Sequence, residues 1–421
     1  GINQVFHNRG LFEPGQLPGG ANRDTLYSFG WFDLADGPYV VSLPDFGGRY
    51  FVWQMTDVYA HNFHNVGNGL LEGPAEKYGS GYSFVMAGPG WDGAAPEGMD
   101  VVKSRARLVN VLFRIQVLTD PADIAVGNRL QDAVVTVPLS EWEAGAVESK
   151  RSLPNNPAPT YRDVVVFGQG TTGKDQRNPD YFTALAEVIA ADPPYTEWDQ
   201  AMVDGPLAAM GVKPGEAFDL STMDETTREM ILDAQQAAYD KVMAMRRGGY
   251  GPIVNGWQFG PPAHGNWQDD FARRAFSVTM GGMWPVPNNS TYAFAFTDIN
   301  GEDMTGADDA RYRVHIDGDN LPPATVFWSL TVYEAGTFDL YPNDAELYMV
   351  GSNNPATKRT LDGSIDVEFS ATPPDNPEVN WIPVPEDLFW VGIRFYAPTP
   401  EVLAVEYETP GIVKTNPPAR P

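Results

Sequence analysis

The sequence predicts a mainly β protein: two antiparallel β domains flanking a helical middle segment. Three observations carry this reading. At 421 residues the chain exceeds the roughly 250 to 300 residues that one hydrophobic core serves, so two cores are expected. Short alternating apolar and polar runs, punctuated by turn-forming residues, occupy both ends. Between them the pattern lengthens into helical segments with recognisable start signals.

From 27 to 118 the β runs are "PYVVSLP", "RYFVWQMTDVY", "SFVMAGPG" and "RLVNVLFRIQVL". Alternation is plainest in the last, where Val109, Val111, Phe113 and Ile115 sit among Asn110, Arg114 and Gln116. An antiparallel sandwich or barrel follows. From about 121 to 247 the chain turns helical. "PADIAVGNRLQDAVV" places Pro and Asp in a first turn, and "NPDYFTALAEVIAAD" offers Asn178 as N-cap with Pro179 at the first helical position. "TMDETTREMILDAQQAAYDKVMAMRR" begins with acids and ends with Arg246 and Arg247, the order that the helix dipole favours. From about 276 β runs return as "TYAFAFTD", "RYRVHIDGD", "VFWSLTVYEA", "SIDVEFSA" and "LFWVGIRFYAP", forming a second β-sandwich with a Pro-rich tail expected to fray. The expected division is an N-terminal β domain at 1–145, a largely helical connection at 146–275 and a C-terminal β-sandwich at 276–421.

Composition excludes several function classes. Asp and Glu number 55 against 28 Lys and Arg, a formal net charge of −27. That surface repels phosphate backbones and anionic lipids, so no nucleic-acid partner and no membrane-surface partner are expected. The absence of cysteine removes disulfides, thiolate catalysis and Cys-based metal sites. No apolar run approaches the roughly 18 residues that span a bilayer, so no membrane insertion is expected. No signal peptide is visible at Gly1, and the abrupt start "GINQVFHNRG" is compatible with an export signal removed upstream.

"VVVFGQGTTGKD" (164–175) contains G-x-x-x-x-G-K, but Asp175 stands where a magnesium-binding Ser or Thr is needed and Pro179 delays the helix. A glycine loop is the expectation there. "YGSGYS" lacks the spacing of a nucleophile elbow, and H-E-x-x-H is absent. Chemistry would therefore fall to Asp, His, Arg and Tyr.

"ANRDTLYSFGWFDL" sets Asn22, Arg23, Asp24 and Thr25 in a turn before an apolar strand. Arg23 could clamp an anion there and Asp24 act as base or metal ligand, although Asn and Asp also cap turns and an Arg–Asp pair can tie a loop down. In "WQMTDVYAHNFHN", Asp57 shares strand parity with Met55 and Tyr59, and with His61 were the strand to continue. His64 has opposite parity and converges only if the chain bends at 62–65. Asp57, His61 and His64 would then suit zinc or another divalent metal; the competing readings are acid/base use of one histidine, or a hydrogen-bonded rim. Acidic turns at 298–309 carry Asp298, Asn300 and Asp303 at calcium-like density without EF-hand spacing, and hairpin turns look the same without an ion. His315 reads as a sheet-face residue. Trp328 and Tyr333 have opposite parity, so at most one faces a core if their strand is regular.

"NRDTLYS", "VVSLPDFGGRYFVWQMTD", "GPGW", "LQDA" and "PLS", the helical "YFTALAEVIAADPP" and "MGVKPGEAFDL", and then "LPPATVFWSLTVY", "LDGSIDVEF", "NWIPVP" and "GIRFYAP", together resemble a two-domain bacterial family of unknown function, DUF1254 followed by DUF1214. The resemblance covers nearly the whole chain. It implies two jelly-roll-like β-sandwiches joined by helices, often in exported proteins, and it implies no reaction. A histidine near His7 belongs to that resemblance, whereas His61 and His64 look particular to this sequence.

The sequence thus leads to an exported, periplasmic or secreted protein that holds a small molecule in an apolar pocket at the N-terminal sandwich or the domain junction. As an enzyme it would be a hydrolase using metal- or acid/base-activated water, with Arg23, Asp24, Asp57 and His61 as catalytic candidates and Asn22, Tyr27 and Trp328 as ligand contacts. The alternative is a non-enzymatic cation- or ligand-binding protein, or a structural one that self-assembles as a homo-oligomer.

Overall fold

The computed structural model describes residues 2–16, 20–68, 81–143, 145, 176–262 and 264–415. The glycine-rich stretch 164–175 lies outside the described residues, as does the Pro-rich tail from 416 onward.

Four sheets make two sandwiches. In the N-terminal domain β1 (Gln4–His7), β2 (Thr25–Asp33), β4 (Phe51–Asp57), β5 (Asn62–Gly67) and β8 (Leu108–Gln116) form an antiparallel sheet in the order β1-β2-β8-β4-β5. Facing it is β7-β6-β3-β9, from β3 (Tyr39–Leu43), β6 (Tyr82–Ala87), β7 (Asp100–Lys103) and β9 (Val135–Pro138). Phe32, Val41, Trp53, Phe84 and Phe113 fill the space between these sheets. The C-terminal domain repeats the plan. Its large sheet runs β10-β11-β12-β18-β14-β15, comprising β10 (Ile253–Val254), β11 (Trp257–Phe259), β12 (Ser290–Ala295), β14 (Ala324–Glu334), β15 (Met349–Gly351) and β18 (Phe389–Pro398). The smaller runs β17-β16-β13-β19, from β13 (Arg311–Ile316), β16 (Ile365–Ser370), β17 (Asn380–Pro383) and β19 (Val413–Thr415). Trp328, Leu330, Val367 and Ile393 belong to the core that they enclose.

The longer helices are α1 (Pro121–Asp132), α2 (Tyr181–Ala191), α3 (Glu197–Met202), α4 (Glu225–Met243) and α5 (Phe271–Gly281). Asp120 caps α1 through the N–H of Ala122 and Asp224 caps α4 through that of Thr227. Gly127 lets α1 settle on β2, since a Cβ there would meet Leu26 and Val117 at 2.7 Å. The start of α2 differs from the sequence reading. Asn178 accepts from the N–H of Asp180 at 3.0 Å, tying a turn, and the helix begins at Tyr181 rather than Pro179. The expected boundary at 275/276 falls inside α5, and the large C-terminal sheet already begins at β10.

The two large sheets also face each other, and this positions the site. Tyr50 and Val52 from the N-terminal domain pack with Phe327 and Tyr396 from the C-terminal one. The Tyr50 hydroxyl donates to Asn289 at 2.6 Å across the junction, and the Gln54 amide donates to the carbonyls of Met283 and Trp284, both at 3.2 Å. No described helix is long and apolar enough to cross a membrane.

Candidate functional site

Strand pleating builds the site. On β8 the odd residues Val109, Val111, Phe113 and Ile115 enter the N-terminal core, which turns Leu112 and Arg114 to the other face. On β18 the odd residues Val391, Ile393 and Phe395 enter the C-terminal core, which turns Trp390, Arg394 and Tyr396 the other way. Where these outer faces meet lies a cavity of about 60 Å³. Its apolar wall is Leu112, Met280, Met283, Trp284, Phe294 and Trp390, and its polar groups come from Asn22, Tyr27, Arg114, Tyr292 and Arg394.

Both arginines are buried, and both have only neutral partners. Arg114 donates to the Tyr292 hydroxyl and to the Gln54 side-chain carbonyl, each at 3.2 Å. Arg394 donates to the carbonyl of Gly20, the hydroxyl of Tyr333 and, at 3.2 Å, the hydroxyl of Thr331. Among the described residues neither forms an ion pair, although an arginine stays charged when buried. The Nε of Arg114 and the indole Nε1 of Trp390 are buried donors without a protein acceptor. Burial pushes the Tyr27 hydroxyl up, so it remains protonated.

Of the residues predicted as ligand contacts, Asn22 and Tyr27 line the cavity and bond each other, the Asn22 amide donating to the Tyr27 hydroxyl at 2.5 Å. Trp328 does not; it faces the C-terminal core, while Tyr333 on the opposite face packs on Trp390. Asp24 is fully buried beside the arginines. Its Oδ2 accepts from Ser329 at 2.6 Å and from Tyr396 at 3.0 Å, and its Oδ1 has no partner. Burial raises this carboxyl against the lowering effects of the Ser329 bond, the Arg394 charge and the Tyr396 bond. Arg23 points elsewhere: it donates to the carbonyl of Phe12 at 2.6 Å, pairs with Glu13 at 2.9 Å and lies over the Tyr348 ring. The anion clamp expected of Arg23 therefore has better candidates in Arg114 and Arg394.

The histidine stretch forms a different cluster. β4 ends at Asp57 and the chain reverses at once through Ala60, whose φ of 61° is left-handed, so the bend comes before 62–65. Asp57 accepts from the N–H groups of Tyr59 and His61 at 2.9 and 3.0 Å and from the Tyr195 hydroxyl. His61 Nε2 meets Asp199 at 2.7 Å, and Asp199 also accepts from Arg274 at 2.7 Å and from Thr196 at 2.5 Å. Burial would raise Asp199, but the bonds from His61, Arg274 and Thr196 prevail and bring it down to about 2. His64 stands opposite Met55 in the β4–β5 ladder. Asp57, His61 and His64 thus do not converge. Among the described residues no group of three His, Asp or Glu side chains is placed to hold a metal ion. Asp298 instead accepts from the N–H groups of Asn300 and Glu302, Asp303 pairs with Arg247, and His315 faces Asp366 across strands. His7 meets the Ser28 hydroxyl at 2.8 Å.

Sequence reasoning missed Arg114 and Arg394 as site residues. Their signal was a lone cation inside an apolar β run, in "VLFRIQV" and "VGIRFYA". It also passed over His264, whose ring lies 4.7 Å from Trp284 and 6.3 Å from Tyr292, behind the cavity wall. Neither His264 nitrogen has a described partner, and burial lowers its pKa to about 3.

The overall fold is shared with a solved structure of low identity. The VPA0106 protein of Vibrio parahaemolyticus is 20% identical, with a TM-score of 0.63 over 94% of this chain and 90% of that one. An uncharacterised protein from Burkholderia cenocepacia is 14% identical, with a TM-score of 0.48 over 99% of this chain and 82% of that one. Such identities speak to fold and not to activity. No curated protein matches the chain. Residues 2–138 match the family described as protein of unknown function DUF1254, and residues 289–400 match the protein of unknown function DUF1214. The first contributes Arg114 and the second Arg394, so the cavity lies where the two matched regions meet, and the chain belongs to the family that joins a DUF1254 domain to a DUF1214 domain.

Proposed function

We propose that this protein binds a small organic anion in the cavity between its two domains. The observation that carries the reading is the pair of buried guanidinium groups lining one cavity with no ion-pair partner among the described residues. Asp24 lies close enough to feel the Arg394 charge but forms no ion pair with either arginine; burying the remaining charge is expensive, and arginine cannot escape by losing its proton. An anionic ligand supplies the missing countercharge to the two guanidinium groups that line the cavity. The indole, phenyl and thioether walls favour an organic anion. Calorimetric titration with acetate, benzoate and phosphate, with neutral acetamide as control, tests this in the wild type and in Arg114→Met. At least one anion is expected to bind the wild type, with acetamide silent and the variant weakened. If none of the three anions gives heat or raises Tm, the reading fails.

Hydrolysis is the second reading, and Asp24 favours it. A buried carboxylate of raised pKa with one unpartnered oxygen, beside Arg394, suits a base that takes a proton from water. An ester of a small acid would rest its carbonyl on the arginines while that water attacks, the acyl C–O bond breaks, and the proton taken by Asp24 passes to the departing alkoxide. Acid release from such esters by wild type and Asp24→Asn decides it; equal rates remove the hydrolase. The acidic composition also supports an exported setting, and sedimentation of the whole chain tests the homo-oligomer.

A further inference from the structure

We infer that the occupant of the junction cavity is a short-chain monocarboxylate of about one to three carbons, with its carboxylate at Arg114 and Arg394 and its alkyl end against Leu112, Met280 and Met283. This rests on the anion-binding reading above and narrows it by size, charge and polarity.

Size comes first. An apolar cavity of about 150 Å³ accommodates benzene. The junction cavity, at about 60 Å³, calls for fewer atoms than an aromatic ring. Formate, acetate and propionate are of that order, whereas benzoate is not. Charge points to an anion. Arg114 and Arg394 are buried at the junction against the single carboxyl of Asp24, which burial pushes toward its neutral form, so at least one negative charge is missing. Polarity completes the argument. The two guanidinium groups offer charged donors to carboxylate oxygens, with the Tyr27 hydroxyl and Asn22 as further polar groups of the lining. Methionine, leucine and indole walls offer little to the four oxygens of phosphate, but they suit a methyl or ethyl end.

The test is a calorimetric series on the full chain at constant ionic strength: formate, acetate, propionate, butyrate, hexanoate, benzoate, phosphate and nitrate. Affinity is expected to rise about fourfold per added carbon up to acetate or propionate. It should fall at least tenfold by hexanoate and benzoate, and phosphate and nitrate should lie at least tenfold below the optimum. Affinity that keeps climbing through hexanoate or benzoate, or phosphate or nitrate that equals the best carboxylate, overturns the short-chain assignment while leaving anion binding intact. Silence from every anion overturns both. Met283→Ala enlarges the cavity, and the optimum should then move to a longer chain; a folded variant with an unmoved optimum removes the alkyl end from this cavity. Should that variant fail to fold, the wild-type series still decides.

Discussion

The tip of the β4–β5 hairpin and the junction between the two domains both bury charged side chains, and they resolve the cost in opposite ways. At the tip, Asp199 sits between His61, Arg274 and Thr196, while Asp57 takes two backbone N–H groups and the Tyr195 hydroxyl. At the junction, Arg114 and Arg394 meet only neutral oxygens. A closed network leaves no valence for a ligand, and here it pins a hairpin to α3 and α5. An open one asks for something from outside. Burial of charge therefore does not mark a site by itself; what separates the two regions is whether the protein supplies the partner.

The largest expected effect lies in the closed network. Asp199→Ala strands Arg274 and His61 and should cost about 3 to 5 kcal/mol in urea unfolding, with anion affinity unchanged. A loss below about 1 kcal/mol would mean that the tip does not hold the helices. Next comes His264, a buried group without a described partner and, unlike the arginines, one that can discharge. Its folded pKa of about 3 lies below the ordinary 6.5. Between these values the unfolded chain binds a proton that the folded chain refuses, so stability falls as pH drops through that window. From pH 6.5 to 4.5 the loss is about 2 kcal/mol, the slope growing toward about 1.4 kcal/mol per unit as the unfolded histidine becomes fully protonated. Asp24 and Asp57 are raised by burial and act with the opposite sign, gaining stability on acidification. They are present in both proteins, so the difference between wild type and His264→Phe isolates the histidine. Equal losses in both would remove it as the acid-sensitive group.

The same contrast explains what could be read from the sequence. Alternation in "RLVNVLFRIQVL" placed β8 correctly, and two helical segments stood out by the Pro and Asp of a first turn and by acids leading to arginines. Alternation alone does not say what covers the polar face of that strand, because Asn110 and Arg114 look like a solvated edge until a second domain is laid over them. Short strands such as β10, β15 and β19 carry too few residues for a period, and they form only as additions to longer neighbours. α5 was split between the expected helical and β regions, since "FARRAFSVTMG" has no strong start beyond Asp270. Asn22, Tyr27 and Asp24 were legible because a polar turn opening an apolar strand is a common place for function, while Arg23 in the same turn faces outward to Glu13. Asp57 and His61 were legible as interacting, but Asp199 and Arg274, more than a hundred residues away, decide what they do.

Two arginine substitutions sharpen the comparison at its lower end. Arg114→Met keeps the length of the side chain and removes an unpaired buried charge, a gain set against leaving the Gln54 carbonyl oxygen without its donor. Stability should remain within about 1 kcal/mol of wild type, while acetate affinity falls at least tenfold. A loss of 3 kcal/mol or more, as for Asp199→Ala, would place Arg114 in a closed structural network and erase the distinction between the two regions. Arg23→Ala should do least. Its partner Glu13 is half exposed, and a pair of that kind contributes about 0 to 1 kcal/mol, with the Tyr348 ring adding a similar amount. Because Arg23 turns away from the cavity to Phe12 and Glu13, acetate titration of this variant should superimpose on wild type. A weakened titration would move the anion toward the Asn22–Asp24 turn and return to Arg23 the role that its sequence position suggested.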